Sequence, residues 1–133
     1  MSPLLVVLLT GIVEIGMAAF QAMQVQAAAE AGAVYAAKYG TSDLTAIGTA
    51  VTNGTGTSGI AASPAPLLFC GCPTGTGVTS QGNDCATPCA GPMAPGKYLT
   101  VSATITRTDL LPLPFIDLLL PATFTGKSML RTQ

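Results

Sequence analysis

The chain has no histidine and no tryptophan, and only 8% of its 133 residues are charged. Without histidine, the commonest general base and the commonest metal ligand are both missing. Net charge is −1 and no basic cluster occurs, which argues against nucleic acid as a partner. There are no clustered carboxylates, no GxSxG elbow and no phosphate-binding glycine loop opening a helix. The sequence therefore offers no catalytic or metal residues, calls for no cofactor, and places the protein outside the enzymes. No proline falls between Pro3 and Pro64, and no Lys or Arg precedes Lys38.

What fills the first of these gaps is helix signal. From Met1 to Phe20 the one charged side chain is Glu14, and from Gln21 to Tyr39 the chain is alanine-rich. A single helix over Leu4 to Tyr39 is about 54 Å long at roughly 1.5 Å per residue. That is too long for a chain of this size to bury within itself. Pro3 to Phe20 covers roughly 27 Å, near the thickness of a hydrocarbon core. The segment can be read as a signal peptide with Ala27-x-Ala29 as cleavage site, as a plain membrane anchor, or as a helix that moves from the membrane into a polymer. The third reading accounts for Glu14 and the small residues together, since a carboxyl at membrane depth usually has a partner. The lack of basic residues ahead of the span leads us to expect a basic leader upstream.

Small residues recur along the upper helix as Ala28-Gly32-Ala36 and Ala29-Ala33-Ala37. Such ridges let helix axes approach closely, and a glycine at position 32 suits close approach better than helix propensity. Gly40 is placed to end the helix. Thr41-Ser42-Asp43 offers an N-cap for a short second helix, roughly Asp43 to Thr52, and Asn53 to Gly59 reads as a loop. Asn53-Gly54-Thr55 fits a glycosylation triplet but is read as a turn.

The remainder is β-like. Leu67 to Cys72 is a short apolar run. Tyr98 to Thr106 alternates, with Leu99, Val101, Ala103 and Ile105 on one face. Thr123 to Arg131 reads as another strand, with Phe124 and Leu130 on one face. The two prolines within residues 110–120 exclude a regular helix or central strand there, so that apolar loop must cover a core or meet a neighbour. All four cysteines, Cys70, Cys72, Cys85 and Cys89, fall in one Gly/Pro/Thr-rich window, which reads as two disulfides made outside the cytosol. Pairing is either 70–85 with 72–89 or 70–89 with 72–85, and the nested second form is favoured. A four-cysteine zinc site is the competing reading, with spacings that fit it poorly. The fold class expected is α+β: a helix over 1–40, then a small domain over 41–133 with a short helix, a disulfide-stapled loop and an antiparallel β meander.

The run from Pro3 through Gly11 and Glu14 to Gly16, with the later Ala27-Ala-Ala-Glu-Ala-Gly32-Ala-Val-Tyr35-Ala-Ala37, resembles the TadE-like proteins, pilin-like subunits of tight-adherence pili. The match covers about the first forty residues. Members often carry arginine where this chain has Glu30, and carry an upstream cleavage motif that does not precede Pro3 here. The resemblance implies a structural subunit held in the inner membrane, handed to a pilus assembly machinery, and polymerised with copies of itself into an extracellular filament for attachment. Candidate assembly residues are Glu14, Gly11, Gly16, Ala28, Gly32 and Ala36. For Glu14 one candidate partner is the N-terminal amine of a neighbour shifted axially by about 20 Å; the alternatives are a carboxylic acid kept neutral, a hydrogen bond to a helix carbonyl such as that of Thr10, or the Thr10 or Gln21 side chain. A minor primer or tip subunit, and an anchored envelope protein binding a ligand through residues 110–120, are the alternative functions.

Overall fold

The structure, a computed structural model, describes residues 2–109 and 114–132. Helix α1 (Pro3–Tyr39) is continuous over 37 residues, with Pro3 in its first turn, where a missing N–H costs nothing. Lys38 lies in its last turn, and Gly40 (φ 90°) closes it by donating to the Ala36 carbonyl. Helix α2 (Leu44–Asn53) starts at Asp43, whose carboxylate accepts from the Ala46 N–H at 3.0 Å. Its buried residues, Ile47 and Val51, are one helical turn apart and face α1.

Strands β1 (Leu67–Thr74), β2 (Gly77–Ser80), β3 (Gly96–Thr106) and β4 (Thr123–Arg131) form one antiparallel sheet in the order β2-β1-β3-β4. The fold class is α+β, as expected. The sheet departs from a plain meander: β2 is an edge hairpin on β1, and the cysteine segment then carries the chain back so that β3 pairs with the other edge of β1. A four-residue helix α3 (Ile116–Leu119) follows Pro114 within the β3–β4 connection. Residues 110–113 of the apolar loop lie outside the described residues.

The core lies between the sheet and the upper part of α1. Leu99, Val101, Ala103 and Ile105 are all buried on the inward face of β3, as their alternation requires. They meet Val25, Ala28, Ala29, Ala33 and Ala36 of α1 and Ile47 and Val51 of α2. Full burial of a side chain such as Leu99 or Val101 contributes about 1.5–3 kcal/mol. The outer face of β3 is partly covered too, because Tyr98 stacks on Phe69 of β1 with ring centroids 5.8 Å apart.

Two glycines set how closely α1 approaches this domain. A Cβ on Gly126 of β4 would stand 2.5 Å from the Val25 carbonyl oxygen, so strand backbone rests directly on helix backbone. Next to it, the Gln26 amide donates to the Lys127 carbonyl and accepts from the Lys127 N–H, both at 3.2 Å, which pins β4 to α1. On α1 itself, a Cβ on Gly32 would lie 2.4 Å from Val51 Cγ2 and 2.7 Å from Val101 Cγ1. The small-residue ridge does allow close approach, and the surface it approaches belongs to its own chain.

Candidate functional site

The lower half of α1 carries the features that bear on function. Its apolar side chains from Leu4 to Val13 stand at least half exposed, Leu4 at 73% and Leu8 at 58%. Farther up, Ile15 and Phe20 are exposed to the same degree. The helix contains an 18-residue window of mean hydropathy 2.1 that is only 11% buried, long and apolar enough to cross a membrane. A solvent-exposed array of this kind is an interaction surface by composition alone.

Against this bare surface, Glu14 and Ala18 are each only 4% exposed. They open a buried stripe that continues up the helix through Val25, Ala28, Gly32 and Ala36 at intervals of three, four or seven residues. Sequence reasoning offered Glu14 a neighbour's amine, Thr10 or Gln21 as partners, or a neutral carboxyl. The structure instead covers it within the monomer, so any pairing with another copy requires the carboxyl to be uncovered first. The Thr10 hydroxyl donates back to the carbonyls of Val6 and Val7, both at 3.0 Å, as threonine in a helix commonly does.

The other candidate assembly residues separate into two groups. Gly11 and Gly16 have open space where a Cβ would be, so nothing among the described residues uses their lack of a side chain. Ala28, Gly32 and Ala36 are buried in the core between α1, α2 and β3.

Sequence reasoning missed Arg107, which organises the connection between β3 and β4. Its side chain is only 5% exposed. Nε donates to Asp109 at 2.6 Å, Nη1 to the carbonyls of Leu120 at 2.8 Å and Pro121 at 3.3 Å, and Nη2 to Asp117. Its own N–H donates to the Ala122 carbonyl at 2.8 Å. The hydrogen bond to Asp109 raises the guanidinium pKa, burial opposes that, and Asp117 adds to it. The signal was present: one of five cationic residues, between a strand and a proline-broken loop, with two aspartates following.

The cysteines form Cys70–Cys85 and Cys72–Cys89, with Cα separations of 5.2 and 5.6 Å. This is the interlaced pairing and corrects the nested one. Beyond β2 the chain continues alongside β1, with Gln81 N–H donating to the Cys70 carbonyl at 2.7 Å, so Cys85 reaches Cys70 first. A turn at Asp84 then reverses the chain. Its carboxylate accepts from the N–H groups of Ala86 (2.9 Å) and Thr87 (3.2 Å) and from the Thr87 hydroxyl (2.5 Å). The reversal brings Cys89 back to Cys72. With every cysteine in a disulfide, the four-thiolate zinc alternative is set aside.

Residues 1–34 match the family model described as TadE-like protein. No curated protein and no solved structure matches the chain. The matched stretch ends inside α1, so the TadE-like signature belongs to the long helix, and the sheet lies beyond it.

Proposed function

We propose that this chain is a pilin-like structural subunit of a tight-adherence pilus, stored in the inner membrane and polymerised into an extracellular filament for surface attachment. The observation that carries this reading is the contrast along α1. Its upper half is locked into the chain's own core, while the lower half projects with apolar side chains exposed. The TadE-like match on residues 1–34 supports the same reading.

In the membrane, Pro3 to Phe20 is the anchor and lipid covers its apolar surface. On extraction by an assembly machinery, neighbouring helices replace lipid. The driving force is burial of apolar surface otherwise facing water, about 25 cal/mol per Å2. Gly11 and Gly16 are the positions where a neighbouring helix can approach most closely, because their Cβ directions are open. Ala28, Gly32 and Ala36 serve assembly indirectly, by fixing the sheet rigidly to the helix that enters the filament. The sheet and its disulfide loop then face outward. No catalytic step belongs to this reading.

Electron microscopy of sheared surface material, with N-terminal sequencing of the same preparation, tests it. Filaments containing this chain in bulk support the proposal. Finding the chain only in membranes beside a smaller, abundant pilin overturns the bulk-subunit role and leaves a primer or tip.

A further inference from the structure

The level at which the β3–β4 connection meets α1 follows from the geometry of β4. The strand runs along the helix in the same direction. Gly126 rests on Val25, and at the upper end Leu130 and Thr132 share a cleft with Ala36 and Gly40. Thr123, at the lower end of β4, is about 10 Å below Gly126 at roughly 3.3 Å per residue. On the helix that distance corresponds to roughly six or seven residues, which is the level of Ala18. Thr106 pairs with Thr123 and Arg107 N–H with the Ala122 carbonyl, so the connection leaves the sheet and returns to it there. That level lies on the stretch of α1 where Glu14 and Ala18 are buried among exposed apolar neighbours.

Within this connection Ile116 is buried at 4%, while Phe115, Leu118 and Leu119 are 43%, 88% and 71% exposed. These apolar side chains are held outward by a rigid base: Arg107 ties Asp109, Asp117 and the Leu120 and Pro121 carbonyls together.

We infer that the Phe115–Leu119 turn is a second membrane contact, a wedge that enters the leaflet crossed by α1 and seats Phe115, Leu118 and Leu119 among lipid chains. The inference rests on the proposed membrane span of Pro3 to Phe20. If Phe20 marks the outer surface of the hydrocarbon, the level of Ala18 is about 3 Å below it, so a turn carried from that level starts within the depth that interfacial apolar segments reach. The occupant is bilayer rather than a second copy, because the base that carries this turn stands at the level of Ala18, inside the proposed span.

The chain contains no tryptophan, so a single substitution gives a unique fluorescent reporter. The full chain is reconstituted into phosphatidylcholine vesicles whose acyl chains carry bromine. Three single variants are compared: Leu118→Trp on the turn, Leu8→Trp within the span, and Thr79→Trp on the edge strand β2. Leu118 is so exposed that the larger side chain disturbs no packing. Expected is blue-shifted emission from Leu118→Trp, with bromine quenching several-fold above Thr79→Trp and approaching Leu8→Trp. Quenching of Leu8→Trp alone overturns the wedge and leaves the span intact. Quenching of neither overturns the span and the wedge with it. Blue-shifted emission from Leu118→Trp without bromine quenching means protein covers the turn, and also overturns a lipid contact.

Discussion

At the residue scale the sharpest constraints are contacts without a side chain. Gly126 lies where strand and helix backbones touch, and backbone cannot move aside as a side-chain end can. Gly126→Ala is expected to cost about 1–3 kcal/mol, as overpacking typically does. Gly75→Ala, at a turn with open space around it, is expected to be near neutral. Denaturant unfolding of the two variants in the same detergent checks the difference. Asp84 carries a pH dependence. The Thr87 hydroxyl, followed by the N–H groups of Ala86 and Thr87, holds its carboxyl below the ordinary value of 3.8. A carboxylate depressed in the folded state adds stability that is in full effect above the unfolded value and is lost as pH falls through the folded one. Thr87→Ala should therefore move the Asp84 titration upward, toward the ordinary value, as followed by carboxyl-carbon NMR. An unchanged titration would show that the backbone N–H groups alone hold it. None of these contacts was legible in the sequence. Arg107 was legible only as an isolated cation near two aspartates, because its partners include carbonyls that come close only when the β3–β4 connection folds.

At the scale of elements, the clearest strand was also the one most directly encoded. Leu99, Val101, Ala103 and Ile105 alternate because a pleated strand turns every second side chain to the same face, and all are buried. The Asp43 cap and the strand from Thr123 to Arg131 were encoded by equally local signals. β2 escaped notice because an edge strand of Gly77, Val78, Thr79 and Ser80 has no apolar alternation to reveal it. The disulfide pairing escaped because it depends on where the chain doubles back, which the Asp84 turn decides in three dimensions. With loops of 15 and 17 residues closed, each bridge is expected to contribute about 3 kcal/mol by chain entropy. Reducing both should lower the melting temperature of the sheet clearly, and an unchanged melting curve would contradict the staple role. The alanine ridge was read as a surface for neighbouring helices, and in the structure it packs on the chain's own second helix and sheet, since helix-facing-helix and helix-facing-sheet ridges look alike in one sequence. Gly16 separates stability from assembly. In the monomer Gly16→Ala adds about 0.5–1 kcal/mol of helix stability, whereas Gly16→Leu should leave the monomer folded and reduce filament yield in a shearing assay.

The whole molecule is divided by how α1 is covered. Above Val25 the helix is one layer of a packed domain, and below Ile15 nothing among the described residues covers its apolar side chains. One rod thus joins a surface that is satisfied within the chain to one left exposed, which the proposed function covers with lipid first and neighbouring helices afterwards. Glu14 lies at the boundary, buried in the single chain. The measurement that bears most directly on this account is cryo-electron microscopy of filaments sheared from the cells that make this chain. The account predicts a shaft whose axis is a bundle of helices traceable as Pro3 to Phe20, with the four-stranded sheet and its two disulfides on the outside. A shaft whose helices trace a different sequence throughout would contradict it.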